Sequence, residues 1–183
     1  MKSTIENIVK ETNETILRQL KSKTGEDLPA HTYGIAFPIH LKDEESGDSV
    51  TAIIGIDGVL NYVMSDDSIA FGLYHRLRSK SYKETKGFGD ADLDTETSDM
   101  SLIVWGFSNR LGMGAIDFER EIIIPSIPPK ASLIASDFDA YRVVNGEFKG
   151  INYLFKPDEF IFSVKYKVES QFDRKYRLGK NCV

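Results

Sequence analysis

Apolar residues recur every three or four positions near the start of the chain, as they do on one face of an amphipathic helix. They are Ile5, Ile8, Val9, Ile16 and Leu20. The sequence Ser3-Thr4-Ile5-Glu6 matches a capping box, and Gly25 offers a left-handed stop. We therefore predict a helix over residues 4–23 that packs on the rest of the fold.

After Pro29 the hydrophobic period changes to two, which is typical of β-strands. The alternating residues of the first such segment are Tyr33, Ile35, Phe37, Ile39 and Leu41. Pro38 within this segment cannot donate a hydrogen bond to a neighbouring strand. We expect the segment to lie at a sheet edge or to break at the proline.

Two dipeptides of the kind that closes β-hairpins lie between extended segments. Asp57-Gly58 suits a type I′ turn between residues 50–56 and 59–64. Asn145-Gly146 repeats the signal between residues 141–144 and 147–155. Hairpins imply antiparallel pairing in much of the sheet.

The clearest strand pattern follows a turn at Pro157-Asp158. On one face it places Phe160, Phe162, Val164, Tyr166 and Val168. Residues 69–78 also alternate and favour a long strand, although a helix fits them too. Residues 102–107 are apolar on both faces, which is typical of a central strand.

A second short helix is predicted over residues 115–124, ended by Pro125. The sum is an α+β fold: a mostly antiparallel sheet of about eight strands, with the N-terminal helix and the second short helix covering one face. No linker or repeat divides residues 1–183, so we expect a single domain. Within it we expect an acidic loop over residues 87–100 and a polar tail over residues 171–183.

Composition excludes several classes of protein. The chain has 183 residues, of which 41% are hydrophobic, and a formal net charge of −5, so no general attraction to nucleic acid or anionic membranes is expected. A single cysteine, Cys182, excludes an internal disulfide framework. Without a signal-like or membrane-spanning apolar run, we expect a cytoplasmic protein that is neither secreted nor inserted in a membrane.

Charge is concentrated in two neighbouring segments, which form the candidate interaction surface. The basic members are Arg76, Arg78 and Lys80, and the acidic members are Asp90, Asp92, Asp94 and Glu96. The basic row could follow a phosphate backbone, meet an acidic patch on another subunit, or be the solvated face of an edge strand; net charge favours the last over nucleic acid.

The acidic segment resembles the start of a calcium loop, because carboxylates alternate from Asp90. The sixth position is Thr95 where glycine is needed, and the twelfth is Ser101 where a bidentate glutamate belongs. A solvated loop is the better interpretation, and we assign no metal ligand.

No catalytic or cofactor-binding residue can be assigned from sequence. Gly112-x-Gly114 lacks the third glycine of a dinucleotide fingerprint and has Asp117 there instead. His75 shares the apolar face of its predicted strand, where a hydrogen-bonded core histidine is the usual outcome. A metal- or ligand-binding module built on residues 90–99, or a hydrolase, remains the alternative function.

One ordered series of motifs resembles the tail-completion or tail-terminator-like proteins of tailed phages and prophages. It comprises His75-Arg76, Ser81-Tyr82, Gly87-Phe88-Gly89-Asp90 and residues 99–105, followed by a short helix. The N-terminal helix and the Pro157 to Phe160 turn fit the same order.

This resemblance implies a non-enzymatic virion component without a cofactor. Such proteins form rings, usually of six copies, that cap the tail tube and contact other tail or neck proteins. The basic row and the acidic segment would then be opposite-charge partners between neighbouring copies. On that hypothesis, reversing Arg76 and Arg78 to glutamate should weaken assembly.

Overall fold

A computed structural model of the chain describes residues 4–42, 47, 49–64, 68–86, 92–149, 151 and 153–173. Its strands are β1 (Ala30–Lys42), β2 (Ser49–Gly55), β3 (Leu60–Tyr62), β4 (Phe71–Lys86), β5 (Asp92–Phe107), β6 (Ala131–Asp137) and β7 (Glu159–Asp173). Its helices are α1 (Thr4–Thr24), α2 (Ser108–Leu111), α3 (Ala115–Phe118), a π-helical turn (Glu119–Ile123), α4 (Ile124–Ser126) and α5 (Ala140–Glu147).

The strands form one mixed sheet in the order β3-β2-β1-β4-β5-β7-β6. Every neighbouring pair is antiparallel except β1 and β4, which are parallel. The predicted α+β class and the mostly antiparallel pairing are confirmed. The described sheet has seven strands rather than about eight: the hairpin expected over residues 141–155 is replaced by a helix, which removes two predicted strands, and β6, which was not predicted, adds one.

Helix α1 lies where the sequence predicts it and buries all five of its periodic apolar residues. Thr12, a polar residue on the same face, donates its hydroxyl to the Ile8 carbonyl at 2.7 Å, so its burial leaves no unpaired donor. Gly25 ends the helix with a φ of +82°, a conformation that favours glycine.

Strand β1 changes neighbours along its length. Residues 30–35 pair with β4, and residues 36–42 pair with β2. The β4 register is irregular between Thr32 and Ile35, so Tyr33 and Ile35 contact opposite faces of the sheet despite their spacing of two. Pro38 lies in the half of β1 that pairs on one side only, which confirms the expected edge position.

The hairpin at Asp57-Gly58 is confirmed, but its turn is not type I′. A type I′ turn needs positive φ at both central residues. Gly58 has a φ of +80°, whereas Asp57 is not among the described residues with positive φ. The Gly55 N–H and the Val59 carbonyl close a three-residue loop at 2.9 Å, which makes this the longer hairpin type.

The second predicted hairpin is wrong, because Asn145 and Gly146 lie inside helix α5. Asp139 caps that helix by accepting the Arg142 N–H at 3.0 Å, and Val143 and Val144 bury its inner side. Helix α5 covers the face of the sheet opposite α1, so helices cover both faces rather than one.

The segment around Pro125 is helical as predicted but longer and less regular. Helices α2, α3 and α4 and the π-helical turn run from Ser108 to Ser126 and pack on the α1 side of the sheet. Pro125 lies within α4 rather than ending the helix, since proline at the first turn of a helix loses no intrahelical bond.

The predicted acidic loop is mostly a strand. Asp92 to Phe107 form β5, which pairs with β4 and β7 over its length. Its alternating polar residues suit a strand with one wetter face, and the ladders on both sides hold it extended. Residues 87–91 lie outside the described part of the chain. Residues 171–173 belong to β7, and residues 174–183 with Cys182 also lie outside it.

Candidate functional site

The first two members of the predicted basic row converge on one carboxylate. Arg76 donates from Nη1 to Oε2 of Glu147 at 2.7 Å. Arg78 donates from Nη2 to the other oxygen of Glu147 and from Nε to Ser101 Oγ at 3.0 Å. Their spacing of two on β4 places both side chains on the face that α5 covers.

Glu147 is the centre of this cluster, and its side chain is only 2% exposed. The Tyr74 hydroxyl donates to Oε2 at 3.0 Å. Burial raises the pKa of Tyr74 well above its ordinary value, and the Glu147 charge raises it further, so the phenol stays protonated and donates. With three donors on its two oxygens, Glu147 joins α5 to β4.

Lys80, the third cation, meets its acidic partner within the same chain. Its Nζ lies 3.1 Å from Glu96 Oε1. Ser79 Oγ likewise donates to Asp99 Oδ2 at 2.6 Å across the β4–β5 ladder. Asp94 is buried, whereas Asp90 and the side chain of Asp92 lie outside the described residues. The structure brings the two charged segments together side by side in one sheet.

The acidic segment does not have the shape of a calcium loop. From Asp92 onward it is extended, and Ser101, the twelfth loop position, is buried at the centre of β5. A calcium loop must instead curl so that alternate carboxylates converge. Within the part of the chain that the structure describes, no group of three or more His, Cys, Asp or Glu residues could hold a metal ion.

His75 lies on the opposite face of β4 and is fully buried, as the sequence predicts. Its Nε2 is 2.8 Å from Asn13 Oδ1, and its Nδ1 is 2.7 Å from the Tyr166 hydroxyl. Asn13 donates its Nδ2 to the Tyr33 carbonyl at 2.9 Å, which leaves Oδ1 as an acceptor. The histidine therefore carries its proton on Nε2 and accepts from Tyr166 at Nδ1.

Burial keeps this network neutral. It lowers the pKa of His75 from 6.5 to about 3 and raises the pKa of Tyr166 above its ordinary value. With no exposed surface, His75 cannot reach a substrate in this conformation. The His75–Tyr166–Asn13 network joins α1 to the sheet and is structural.

The two glycines of the Gly112-x-Gly114 motif lie at the end of α2 and at the start of α3. Gly112 ends α2 with a φ of +68°, and Gly114 precedes α3 in an extended conformation. Helix α3 has only four residues, too few to form an anion site at its N-terminus. The glycines therefore start and stop helices, as the sequence favours.

Exposed apolar side chains occur at both edges of the sheet. In the described structure β3 pairs only with β2, and β6 pairs only with β7. On β3, Leu60 is 42% and Tyr62 is 55% exposed; on β6, Leu133 is 45% and Ile134 is 55% exposed. Neither strand contains Lys, Arg or Pro, but β3 has only three residues and the register of β6 is irregular at Ile134, between Leu133 and Ala135.

Two grooves open on opposite sides of the sheet. One, of about 490 Å³, lies between α1, β1 and the β2–β3 turn, and is lined by Val9, Asn13, Leu17 and Ile56 among others. The other, of about 610 Å³, lies between α5 and the sheet, and has Glu147 and Arg78 in its wall. Both are large enough for a ligand or a peptide segment.

The chain matches no protein-family model, and no curated protein is significantly similar to it. Within the described residues, no helix has both the length and the apolar character needed to cross a membrane.

Sequence reasoning missed Glu147, the residue that organises Arg76 and Arg78. Glu147 lies on helix α5, which was not predicted because Asn145-Gly146 is typical of a hairpin turn. Asp139 three residues before Arg142, followed by paired valines, is a cap-and-core pattern that could have indicated the helix. The exposed edges carried no sequence signal, because edge position depends on the strand order.

Proposed function

We propose that this protein is a structural component of a phage or prophage virion, of the tail-terminator or tail-completion type, that acts by assembling into a ring. Copies would join at their sheet edges, cap the tail end and present a surface to other tail or neck proteins. Before incorporation the chain would be in the cytoplasm of the host cell. The ordered motifs from His75 to Trp105 support the family, and the sheet edges support the mode of action.

The observation that carries the proposal is that the two edge strands differ and that both expose apolar side chains. Strand β6 presents six uncharged residues before Asp137, and β3 presents Leu60 and Tyr62. An exposed apolar edge invites pairing with another strand. Because β3 and β6 lie at opposite ends of the sheet, a contact between them is head-to-tail, and such contacts close into rings when the rotation permits.

The three cations of the basic row already have acidic partners within the same chain, so we do not place the interface there. Arg76 and Arg78 hold Glu147, and Lys80 meets Glu96. Reversing Arg76 and Arg78 to glutamate would place three carboxylates together and damage the fold itself. A loss of assembly in that variant would therefore not identify an interface, and the edge strands provide the cleaner test.

The test uses one substitution at each edge. Light scattering coupled to size-exclusion chromatography would measure the mass of the wild-type chain and of the Leu60→Lys and Ile134→Lys variants over a range of concentrations. We expect a multimer for the wild type and a monomer for each variant alone. A mixture of the two variants should give a dimer, because each retains the edge that the other has lost.

Ile116→Lys is the matched control, since Ile116 is a similarly exposed apolar residue on α3, outside both edges. It should assemble like the wild type. A wild-type chain that stays monomeric at every concentration would contradict the proposal, as would unchanged assembly in both edge variants. A rise in melting temperature with Ca²⁺ would instead favour the metal-binding alternative.

A further inference from the structure

The groove between α1 and β1 is lined by both acidic and apolar side chains. Three carboxylates, Glu6, Glu14 and Asp57, line it with one cation, Lys10. Lys10 lies 3.5 Å from Glu14 on the same helix, so the groove keeps a formal charge of −2. Its apolar lining includes Leu17 and Ile56, which are 39% and 57% exposed.

The groove opens where β1 changes partner. Before the irregularity at residues 32–35 the strand pairs with β4, and after it the strand pairs with β2. The β2–β3 turn then forms one wall and α1 the other. The result is an open trough of about 490 Å³, a size that suits several side chains of an extended segment.

The chain contains a segment with the complementary character. Residues 174–183 carry four cations and no acidic side chain: Arg174, Lys175, Arg177 and Lys180. Tyr176 and Leu178 alternate with Lys175 and Arg177, so an extended segment could place these two apolar groups in the trough and these two basic groups at its rim. We propose that residues 174–183 of one copy bind the α1–β1 groove of a neighbouring copy.

Distance favours a neighbouring copy over the same chain. The groove is level with His75, which lies opposite Leu102 and, through it, Val164 of β7. Strand β7 continues nine residues beyond Val164 to Asp173, about 30 Å at ~3.3 Å per residue. Residue 173 therefore lies about 30 Å from the level of its own groove, which favours the groove of a neighbouring copy.

This inference rests on the proposed function, because it needs a second copy, and it names a second contact between copies that is weaker than the edge contact. It differs from the edge contact in both residues and chemistry. The edge contact is apolar and uses strand pairing, whereas the groove contact pairs basic with acidic groups and weakens with salt.

Cys182 allows a direct test, because it is the only cysteine in the chain. A benzophenone maleimide attached to Cys182 of the full chain would be irradiated in a mixture of unlabelled and ¹⁵N-labelled protein. Mass spectrometry should then find crosslinks to α1 and to the β2–β3 turn that join a light peptide to a heavy one. Crosslinks elsewhere, or only within one chain, would overturn the inference.

A charge reversal in the groove tests whether the contact depends on the pairing of basic with acidic groups. Glu14→Lys should lower the crosslink yield about two- to fivefold, the range expected for losing one exposed charge pair. Glu11→Lys is the matched control, because Glu11 is exposed on the same helix but does not line the groove. Mixing a Lys175→Glu/Arg177→Glu chain with the Glu14→Lys chain should restore the yield. Equal loss in both α1 variants, or no rescue, would contradict the pairing.

A peptide experiment separates this inference from the proposed function. A fluorescein-labelled peptide of residues 174–183 would be titrated with the full-length Ile134→Lys chain, whose substitution lies on β6, outside the groove. Binding that Glu14→Lys weakens supports the groove contact even if the wild-type chain proves monomeric. A ring that forms while the peptide fails to bind refutes the groove contact and leaves the proposed function standing.

Discussion

The two faces of the sheet bury polar groups in different ways, although the β4 residues in the two networks, Tyr74, His75 and Arg76, are neighbours in sequence. On the α1 face, His75 is neutral and is satisfied by Asn13 and Tyr166. On the α5 face, Glu147 is charged and is satisfied by two arginines and Tyr74. One strand thus alternates between a neutral and an ionic network.

The two networks differ because the two faces provide different partners to the buried polar group. Helix α1 brings only Asn13 to His75, so burial there favours the uncharged ring. On the other face, Arg76 and Arg78 keep part of their side chains in solvent, 27% and 33% exposed, while their charges reach the buried carboxylate. The neutral network should therefore respond to pH, and the ionic network to the loss of one partner.

The largest effect is expected from Glu147→Ala. The substitution leaves two guanidinium groups and the Tyr74 hydroxyl without their shared acceptor, and breaking a buried ion pair in this way costs about 3 kcal/mol. Urea unfolding followed by fluorescence would measure the loss. Glu147→Gln keeps the side-chain shape and one acceptor oxygen, so its free energy of unfolding should lie between those of the wild type and Glu147→Ala. Equal stability of Glu147→Ala and wild type would show that the ionic network does not stabilise the fold.

The second-largest effect is a pH dependence of stability, which we expect from the neutral network on the α1 face. The pKa of His75 is about 3 in the folded protein against an ordinary 6.5, so between these values the unfolded chain binds one more proton. The stabilisation is complete above pH 6.5 and is lost as the pH falls towards 3. Between pH 6.5 and 5 the free energy of unfolding should drop by about 2 kcal/mol.

The check on this assignment is His75→Gln, which cannot titrate. Urea unfolding at pH 7 and pH 5 would compare it with the wild type. The variant should be less stable at pH 7, because the ring is fully buried, but should lose less stability on acidification. An identical pH dependence in both proteins would assign the effect to other groups.

A third, smaller effect tests how α5 holds the ionic network in place. Asp139→Ala removes the side chain that caps α5, which costs about 1 kcal/mol at a typical N-cap. Asp139→Asn keeps a capping oxygen and should stay close to the wild type. Thermal unfolding would rank the three proteins. A full loss in Asp139→Asn would assign the effect to charge instead of capping.

The contrast between the faces also marks the limit of sequence reasoning. Helix α1 and the strand pattern of β7 follow from local periodicity, and both were predicted. So was the burial of His75, because it shares an apolar face with Phe71 and Leu73. These features depend on neighbours in sequence, which the chain displays directly.

The ionic face depends instead on contacts between distant residues. Helix α5 has only eight residues, too short to be stable alone, and it is held by Val143 and Val144 packing near Trp105. Glu147 lies 71 residues from Arg76 in sequence. The parallel pairing of β1 with β4 also joins distant residues, such as Ala30 and Phe71, and it decides which strands become edges. A local pattern can indicate helix α5, but none records these distant contacts.

The smallest effect is expected at the Lys80–Glu96 pair, which tests whether charge alone distinguishes the ionic face. This pair joins adjacent strands on the same β4–β5 ladder, but the Lys80 side chain is 35% exposed and solvent screens it. Lys80→Ala should cost no more than about 0.5 kcal/mol, and Lys80→Ala combined with Glu96→Ala should show little coupling. A double-mutant cycle in urea at low and high salt would measure both. A coupling as large as the Glu147→Ala loss would mean that burial is not what separates the two clusters, because a pair whose carboxylate is 18% exposed would then match one whose carboxylate is 2% exposed.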